Sequence, residues 1–276
     1  MELRIGTSGY QYDHWRGVIY PEHGPTRDWF SLYAERFDTV EINATFYHLP
    51  ADSTFDSWRE RAPGRFLYAL KFSRYGSHMK RLLEPEATIG TFVERARRLG
   101  PTLGPVLVQL PPRWKAAPRR LEAFLEATPR DLRWTFEFRD ESWLSPEVLR
   151  LLERHRAALC VHDKIPGHPD EPTTSWVYVR FHGHVPQGRY SADRLKKVAR
   201  RIESWLGRGL DVYAYFNNDP EGHAVRDALR LRRMLAPSSP RAPASRRTLS
   251  RSTSRISAPA GAAAGSPGRC GTRRRG

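Results

Sequence analysis

Cysteine is almost missing from this 276-residue chain, which has only Cys160 and Cys270. A framework of disulfides is therefore not expected, and a reducing compartment suits the composition. Long apolar runs are missing too, and none reaches the length of a membrane-spanning helix. The opening Met-Glu-Leu-Arg-Ile lacks a basic stretch followed by an apolar one, so no secretory signal is expected. These absences predict a cytoplasmic protein with no membrane partner. Two motifs are absent as well. The turn after the first apolar run reads Gly6-Thr7-Ser8-Gly9-Tyr10 rather than the dinucleotide-binding G-x-G-x-x-G. No compact metal-binding spacing such as H-E-x-x-H occurs.

Acidic residues are outnumbered, 30 against 46 lysines and arginines, for a net charge of +16. That excess would suit a nucleic-acid-binding module were it spread evenly. It is not: nine arginines and no acid follow Leu235, leaving +7 on residues 1–235. The segment 236–276 is built from Pro, Ser, Ala, Gly and Arg, and cannot bury enough apolar surface to offset its chain entropy. It is expected to be a disordered tail, either an unselected extension or an arm that binds polyanions. Residues 1–235 are expected to form one domain.

Within that domain, short β-branched and aromatic runs alternate with helical patterns. Strands are expected at 3–7, 39–43, 66–71, 105–110, 134–138, 158–163, 176–181 and 211–216. Helices are expected at 27–36, 54–61, 88–99, 118–127, 146–155, 192–206 and 222–235. Between strands six and seven, residues 164–175 are rich in Pro and Gly with no helical period, so that crossover is expected to lack a regular helix. Eight strand–helix units call for a parallel sheet that closes into an α/β, TIM-like (β/α)8 barrel. An open doubly wound sheet is the alternative, weakened by the missing glycine-rich turn.

Nearly every strand ends in polar residues, at the end where such barrels place their active sites. They are Thr7 and Ser8, Glu41 and Asn43, Lys71 and Ser73, Gln109, Glu137 and Arg139, Asp163, Arg180 and His182, and Asn217 and Asp219. Residues two apart share a strand face, so Glu41 with Asn43, Glu137 with Arg139, and Arg180 with His182 point the same way. One such pair would read as a satisfied ion pair; a whole ring of them reads as a site.

The motifs in which these residues sit resemble a known family. They begin with Gly6-Thr7-Ser8-Gly9-Tyr10, His14-Trp15-Arg16-Gly17 and Phe37-Asp38-Thr39-Val40-Glu41-Ile42-Asn43, followed by Thr45-Phe46-Tyr47. Lys71-Phe72-Ser73-Arg74-Tyr75, His78, Gln109-Leu110-Pro111-Pro112, Glu137-Phe138-Arg139 and Ser142-Trp143 continue the series. Arg180-Phe181-His182-Gly183 and Tyr215-Phe216-Asn217-Asn218-Asp219, with Gly222-His223-Ala224, complete it. In this order, from Leu3 to about Leu235, they resemble the YecE-like proteins, domain of unknown function number seventy-two. The resemblance implies the same barrel and brings no established activity. Two departures stand out: Asp227 where the family pattern suggests Asn, and Gly76-Ser77 in place of a bulkier pair.

Three functions fit the ring. The first is an enzyme of hydrolase or lyase type acting on a small anionic substrate, phosphorylated or acidic. Glu41, Glu137, Lys71 and His182 would be its catalytic residues. Ser8, Asn43, Tyr47, His78, Gln109, Arg139, Trp143, Arg180, Asn217 and Asp219 would bind the substrate. Glu41 and Glu137 would form the acid/base pair, as two carboxylates do in glycosidases. No cofactor is expected on this reading. The second is a metal-assisted nuclease-like or isomerase-like barrel, with a divalent metal on Glu41, Glu137, Asp163 and His182, and His78 as a further ligand. The third is a non-catalytic nucleic-acid-binding protein using the basic surface or tail, with Trp15, Tyr47 and Trp143 as exposed stacking aromatics.

Overall fold

The computed structural model describes residues 1–183 and 188–236, and Met1–Ala236 form one compact unit. Nearly all of the expected tail, from Pro237 on, lies outside the described residues. Eight strands follow in chain order: β1 (Leu3–Thr7), β2 (Thr39–Ile42), β3 (Leu67–Lys71), β4 (Leu103–Gln109), β5 (Trp134–Glu137), β6 (Ala158–His162), β7 (Trp176–Phe181) and β8 (Asp211–Phe216). All ladders are parallel, and the sheet order is β1-β8-β7-β6-β5-β4-β3-β2. The helices are α1 (Trp29–Ala34), α2 (Ala44–Tyr47), α3 (Asp52–Arg61), α4 (Pro85–Ala96), α5 (Pro118–Ala127), α6 (Pro146–Arg154), α7 (Ala192–Gly207) and α8 (His223–Leu235). The barrel is therefore as the strand–helix alternation predicts, with the short α2 added after β2. Among the described residues, no helix is long and apolar enough to cross a membrane.

The helices carry their signals in the sequence. In α6, Ser145 caps the N-terminus by accepting from the Val148 amide, Pro146 occupies the first turn, and Val148, Leu151 and Leu152 form the buried face. A cap of this kind stabilises a helix by about 1 kcal/mol. The helix-free crossover after β6 is held by Thr173, whose hydroxyl accepts from the Leu159 amide (2.9 Å) and donates to the Ala157 carbonyl (2.8 Å).

Strand alternation splits the apolar residues into two cores. Outward-facing Val40, Leu70, Val106, Val108, Phe136, Val179 and Phe216 pack with the helices. The inward residues Ala69, Leu107, Ala158, Cys160, Trp176, Tyr178, Tyr213 and Tyr215 fill the barrel itself. Above this interior layer, toward the strand C-termini, the inward positions turn polar.

The ends of the sheet meet at β1 and β2, where the contact is a seam rather than a full ladder. Ser8 and Glu41 form a single parallel bridge, and the Gly9 amide donates to the Glu41 carbonyl (2.8 Å). Below it, the buried Tyr33 hydroxyl accepts from the Thr7 amide (3.0 Å) and donates to the Thr39 carbonyl (3.0 Å). A side chain thus supplies the link that backbone groups supply elsewhere, satisfying polar groups that burial would otherwise penalise. Gly6 permits the approach, because a Cβ there would lie 2.3 Å from the Thr39 oxygen.

Candidate active site

The top inward layer brings together residues from strands far apart in the chain. Arg180, from β7, stands at its centre with its side chain 1 % exposed. Its Nη2 donates to Glu41 Oε1 (2.8 Å) and its Nη1 to Glu137 Oε2 (2.6 Å). Both carboxylates are fully buried. Ser8 Oγ donates to Glu41 Oε1 (2.6 Å) and the Tyr178 hydroxyl to Glu41 Oε2 (2.7 Å). Arg139 Nε pairs with Glu137 Oε1, and Gln109 Oε1 lies 3.5 Å from Arg180 Nη1.

A buried carboxylate survives as an anion only when its lone pairs are met by donors and its charge by cations. Both conditions hold here. Burial acts to raise the Glu137 pKa, but the Arg180 charge, the His182 hydrogen bond and Arg139 together hold it well below the ordinary carboxylate value. Glu137 is thus an anion at neutral pH, not a proton donor. Glu41 has hydrogen bonds from Ser8, Arg180 and Tyr178. The two glutamates expected to act as an acid/base pair are joined through one guanidinium.

Lys71 differs. It is buried at the end of β3, with Nζ 4.0 Å from the centre of the Phe46 ring. Among the described residues it has no carboxylate partner within 4.0 Å and no hydrogen bond, although each of the two arginines beside it has both. Burial, aided by the Arg180 charge and opposed by Glu41 and Glu137, lowers its pKa to about 8. Arg180, Arg139 and Lys71 supply three positive charges against the two carboxylates. One positive charge is left over, and it belongs to the group without a partner.

Two histidines border this layer. Burial lowers the His182 pKa against the opposing pull of Glu137, so the ring is neutral at neutral pH. Its Nε2 lies 3.4 Å from Glu137 Oε1 and 3.2 Å from Arg139 Nη2, and its Nδ1 lies 3.2 Å from the Asn217 amide nitrogen. His78 sits on a single π-helical turn, Tyr75–Met79, and packs edge-on against Phe46 (4.9 Å). Burial, with the charges of Lys71, Arg74 and Arg139, lowers its pKa to about 4. The Ser77 hydroxyl donates to the Ser73 carbonyl (2.8 Å), so His78 Nδ1–H donates to Ser77 Oγ (3.0 Å) and Nε2 keeps the lone pair. This turn also accounts for Gly76, where a Cβ would meet the Phe72 ring at 2.5 Å.

Several expected members lie elsewhere. Asp163 accepts from the His182 amide (3.0 Å) and the Tyr190 hydroxyl, with Arg194 at 3.7 Å, so it fixes the end of β7 from outside the central layer. Asp219 accepts from Trp15 Nε1 (2.7 Å) and binds His14 Nε2 (2.7 Å), joining the loops after β8 and β1. Thr7 faces the seam with Tyr33, and Ser73 caps the π turn through the Gly76 amide (3.1 Å). Trp15 and Trp143, expected as exposed aromatics, are wholly buried; Trp143 stacks on Phe138 and donates to the Trp114 carbonyl (2.6 Å). Tyr47 is exposed, and Asn43 precedes α2 with a buried, unpartnered Oδ1. Asp227 is buried and accepts from the Tyr190 amide, Asn218 and Arg230, tying α8 to the loops. The expected metal ligands do not gather: among the described residues, no three His, Cys, Asp or Glu side chains are placed to hold a metal.

Two residues of the site were not anticipated. Tyr178 lies two positions before Arg180 on the same strand face, a spacing that alternation alone could have revealed. Cys160 places its thiol 4.0 Å from Glu137 Oε2, and burial raises its pKa well above that of a free thiol, which makes it unreactive.

Comparison with known proteins supplies the family context. The profile described as protein of unknown function DUF72 matches residues 4–250, past Leu235, where the recognisable motifs end. The UPF0759 protein YunF of Bacillus subtilis is 24% identical over 271 residues, covering 84% of this chain and 94% of its own. A crystal structure of a DUF72 family protein from Thermotoga maritima superposes with a TM-score of 0.77 at 28% identity, covering 85% of this chain and 99% of that one. One from Enterococcus faecalis gives 0.73 at 20% identity over 86% and 96%, a likeness of fold alone.

Proposed function

The chain belongs to the family of proteins of unknown function DUF72, and from the geometry of its barrel mouth we propose that it is an enzyme acting on a small anionic substrate by acid/base chemistry. One observation carries this reading: Lys71 is a buried cation without a carboxylate partner among the described residues, beside a carboxylate–arginine network that is otherwise satisfied. A phosphate or carboxylate on the substrate would supply the missing negative charge, with Arg139 offering further donors to it. Lys71 and His182 are the proton-transfer groups: burial brings the Lys71 pKa down to about 8, and it lowers that of His182 so that the imidazole is neutral. Glu41 and Glu137 keep the roles their contacts allow: they hold Arg180 in place and favour positive charge at the site.

The alternatives have less support. A metal-assisted reaction would need Asp163 beside the glutamates, and nucleic-acid stacking would need Trp15 and Trp143 at the surface.

The test is a panel of phosphorylated and carboxylated metabolites, screened for thermal stabilisation and turnover. At least one should bind the wild-type chain, and Lys71→Met should abolish both effects while the protein stays folded. Binding that is unchanged in Lys71→Met would refute this assignment of the site.

A further inference from the structure

Lysine is scarce in this chain. There are six lysines against forty arginines, and of the six only Lys71 is buried. A site that needed only fixed positive charge could have used arginine, as the neighbouring positions do with Arg139 and Arg180. Arginine, however, cannot give up its proton in a protein, whereas a desolvated lysine beside another cation can. The position of Lys71 therefore selects the one cationic side chain that can become a nucleophile.

Three features of the surroundings suit that role. The amine makes no hydrogen bond among the described residues, so its lone pair, once free, is not held by a donor. It lies over the face of Phe46, which keeps water from one side. His78 packs on the same ring, is neutral at neutral pH, and carries its lone pair on Nε2 because Nδ1–H is engaged by Ser77. An amine and a neutral imidazole thus both contact the Phe46 ring.

We propose that Lys71 captures the carbonyl carbon of an anionic aldehyde or ketone as an imine, with His78 moving the protons. The proposal rests on the anion-binding reading of the mouth and names its substrate class. The amine nitrogen attacks the carbonyl carbon, and the carbonyl π electrons move to oxygen, which takes up a proton. Nitrogen loses a proton, giving a neutral carbinolamine. The C–O bond then breaks, hydroxide leaves with a proton as water, and the nitrogen lone pair forms the C=N bond. The sum is amine plus carbonyl giving imine plus water, with no oxidant or reductant needed. The protonated imine carries one positive charge, as the ammonium does, and Glu41 and Glu137 favour such a charge at this position.

The test uses the full-length wild-type chain at pH 7, incubated with pyruvate or dihydroxyacetone phosphate and reduced with borohydride. Intact mass and peptide mapping then locate the adduct. An amine with a pKa near 8 is about one-tenth uncharged at pH 7, against less than about one-thousandth for an ordinary lysine, so Lys71 should be labelled about a hundredfold faster than any other lysine. Acetone, which carries no charge, should label it far less. Adducts confined to surface lysines, with the Lys71 peptide unmodified, would overturn the proposal. A parallel arm measures binding of lactate and glycerol 3-phosphate, which carry the anion without the carbonyl. If these bind in a Lys71-dependent way while no Lys71 adduct forms, the imine is wrong and the anion site stands. If neither binding nor adduct is seen, both fail. His78→Gln should slow adduct formation and flatten its pH profile; an unaltered rate would remove His78 from the proposal.

Discussion

The two ends of this barrel use ions differently. At the end where the strands begin, Arg4 binds Asp38 (2.8 Å) and Glu2, Arg133 binds Asp211 (2.8 Å), and the Glu2 amide donates to Asp211 (2.7 Å). Each arginine there has an acidic partner, and water reaches many of the groups: the Asp38 side chain is 48 % exposed and that of Arg133 41 %. At the mouth the ions are buried, the carboxylates share one arginine, and one cation remains over. Pairing at the solvent-washed end clamps the chain terminus to the barrel at little cost. Burial at the mouth is expensive, and an unpaired charge there weakens the fold. A fold tolerates such a group where the group does something else.

The contrast can be broken most sharply at Arg180. Arg180→Met leaves two buried carboxylates without their shared cation and should destabilise the protein by about 3–5 kcal/mol in urea unfolding, or prevent folding. Lys71→Met should act in the opposite direction. The pKa of Lys71 is lowered from 10.5 to about 8, so below pH 8 the folded state carries the cost of a buried charge, about 3 kcal/mol, that Met would relieve. Between pH 8 and 10.5 the unfolded chain binds more protons at this position than the folded one, so wild-type stability rises with pH across that window. The advantage of Lys71→Met should therefore be largest at pH 7 and shrink toward pH 10.5; a pH-independent difference would count against the assignment. At the seam, Tyr33→Phe removes the hydroxyl joining Thr7 to Thr39 and should cost about 1–3 kcal/mol by the same denaturation measurement. Arg133→Ala, at the solvent-washed end, should cost less than about 1 kcal/mol. A loss there as large as that at Arg180 would erase the distinction between the ends.

Much of the architecture was legible because period and burial coincide. The strands Leu3–Thr7, Trp176–Phe181 and Asp211–Phe216 and the helix Pro118–Ala127 have the limits that their sequence patterns predict. The missing crossover helix was readable from the Pro- and Gly-rich stretch after β6. Ser8, Glu41, Lys71, Gln109, Glu137, Arg139, Arg180 and His182 could be placed near one another because inward facing follows from alternation. Their partnerships could not, since alternation gives a direction and no distance. Arg180 bridges two glutamates from other strands, and nothing local in Glu137-Phe138-Arg139 shows it. Tyr33, Tyr178 and Tyr215 read as ordinary apolar strand or helix residues, yet their hydroxyls are polar links inside the barrel; Tyr215 meets Thr39 Oγ1 at 2.7 Å. Trp15 and Trp143 misled for the converse reason. An aromatic beside a polar motif can belong to the layer beneath it, and both of these donate their ring N–H inward.

The central claim is that one lysine in the mouth is an amine poised near neutrality, and its titration tests this most directly. Side-chain NMR of the chain labelled at lysine, with Lys71 assigned from Lys71→Arg, follows all six groups against pH. One signal, that of Lys71, should move with a midpoint near pH 8. If Lys71 titrates near 10.5, the value of an unperturbed lysine, its amine is an ordinary cation and the chemistry assigned to it is wrong.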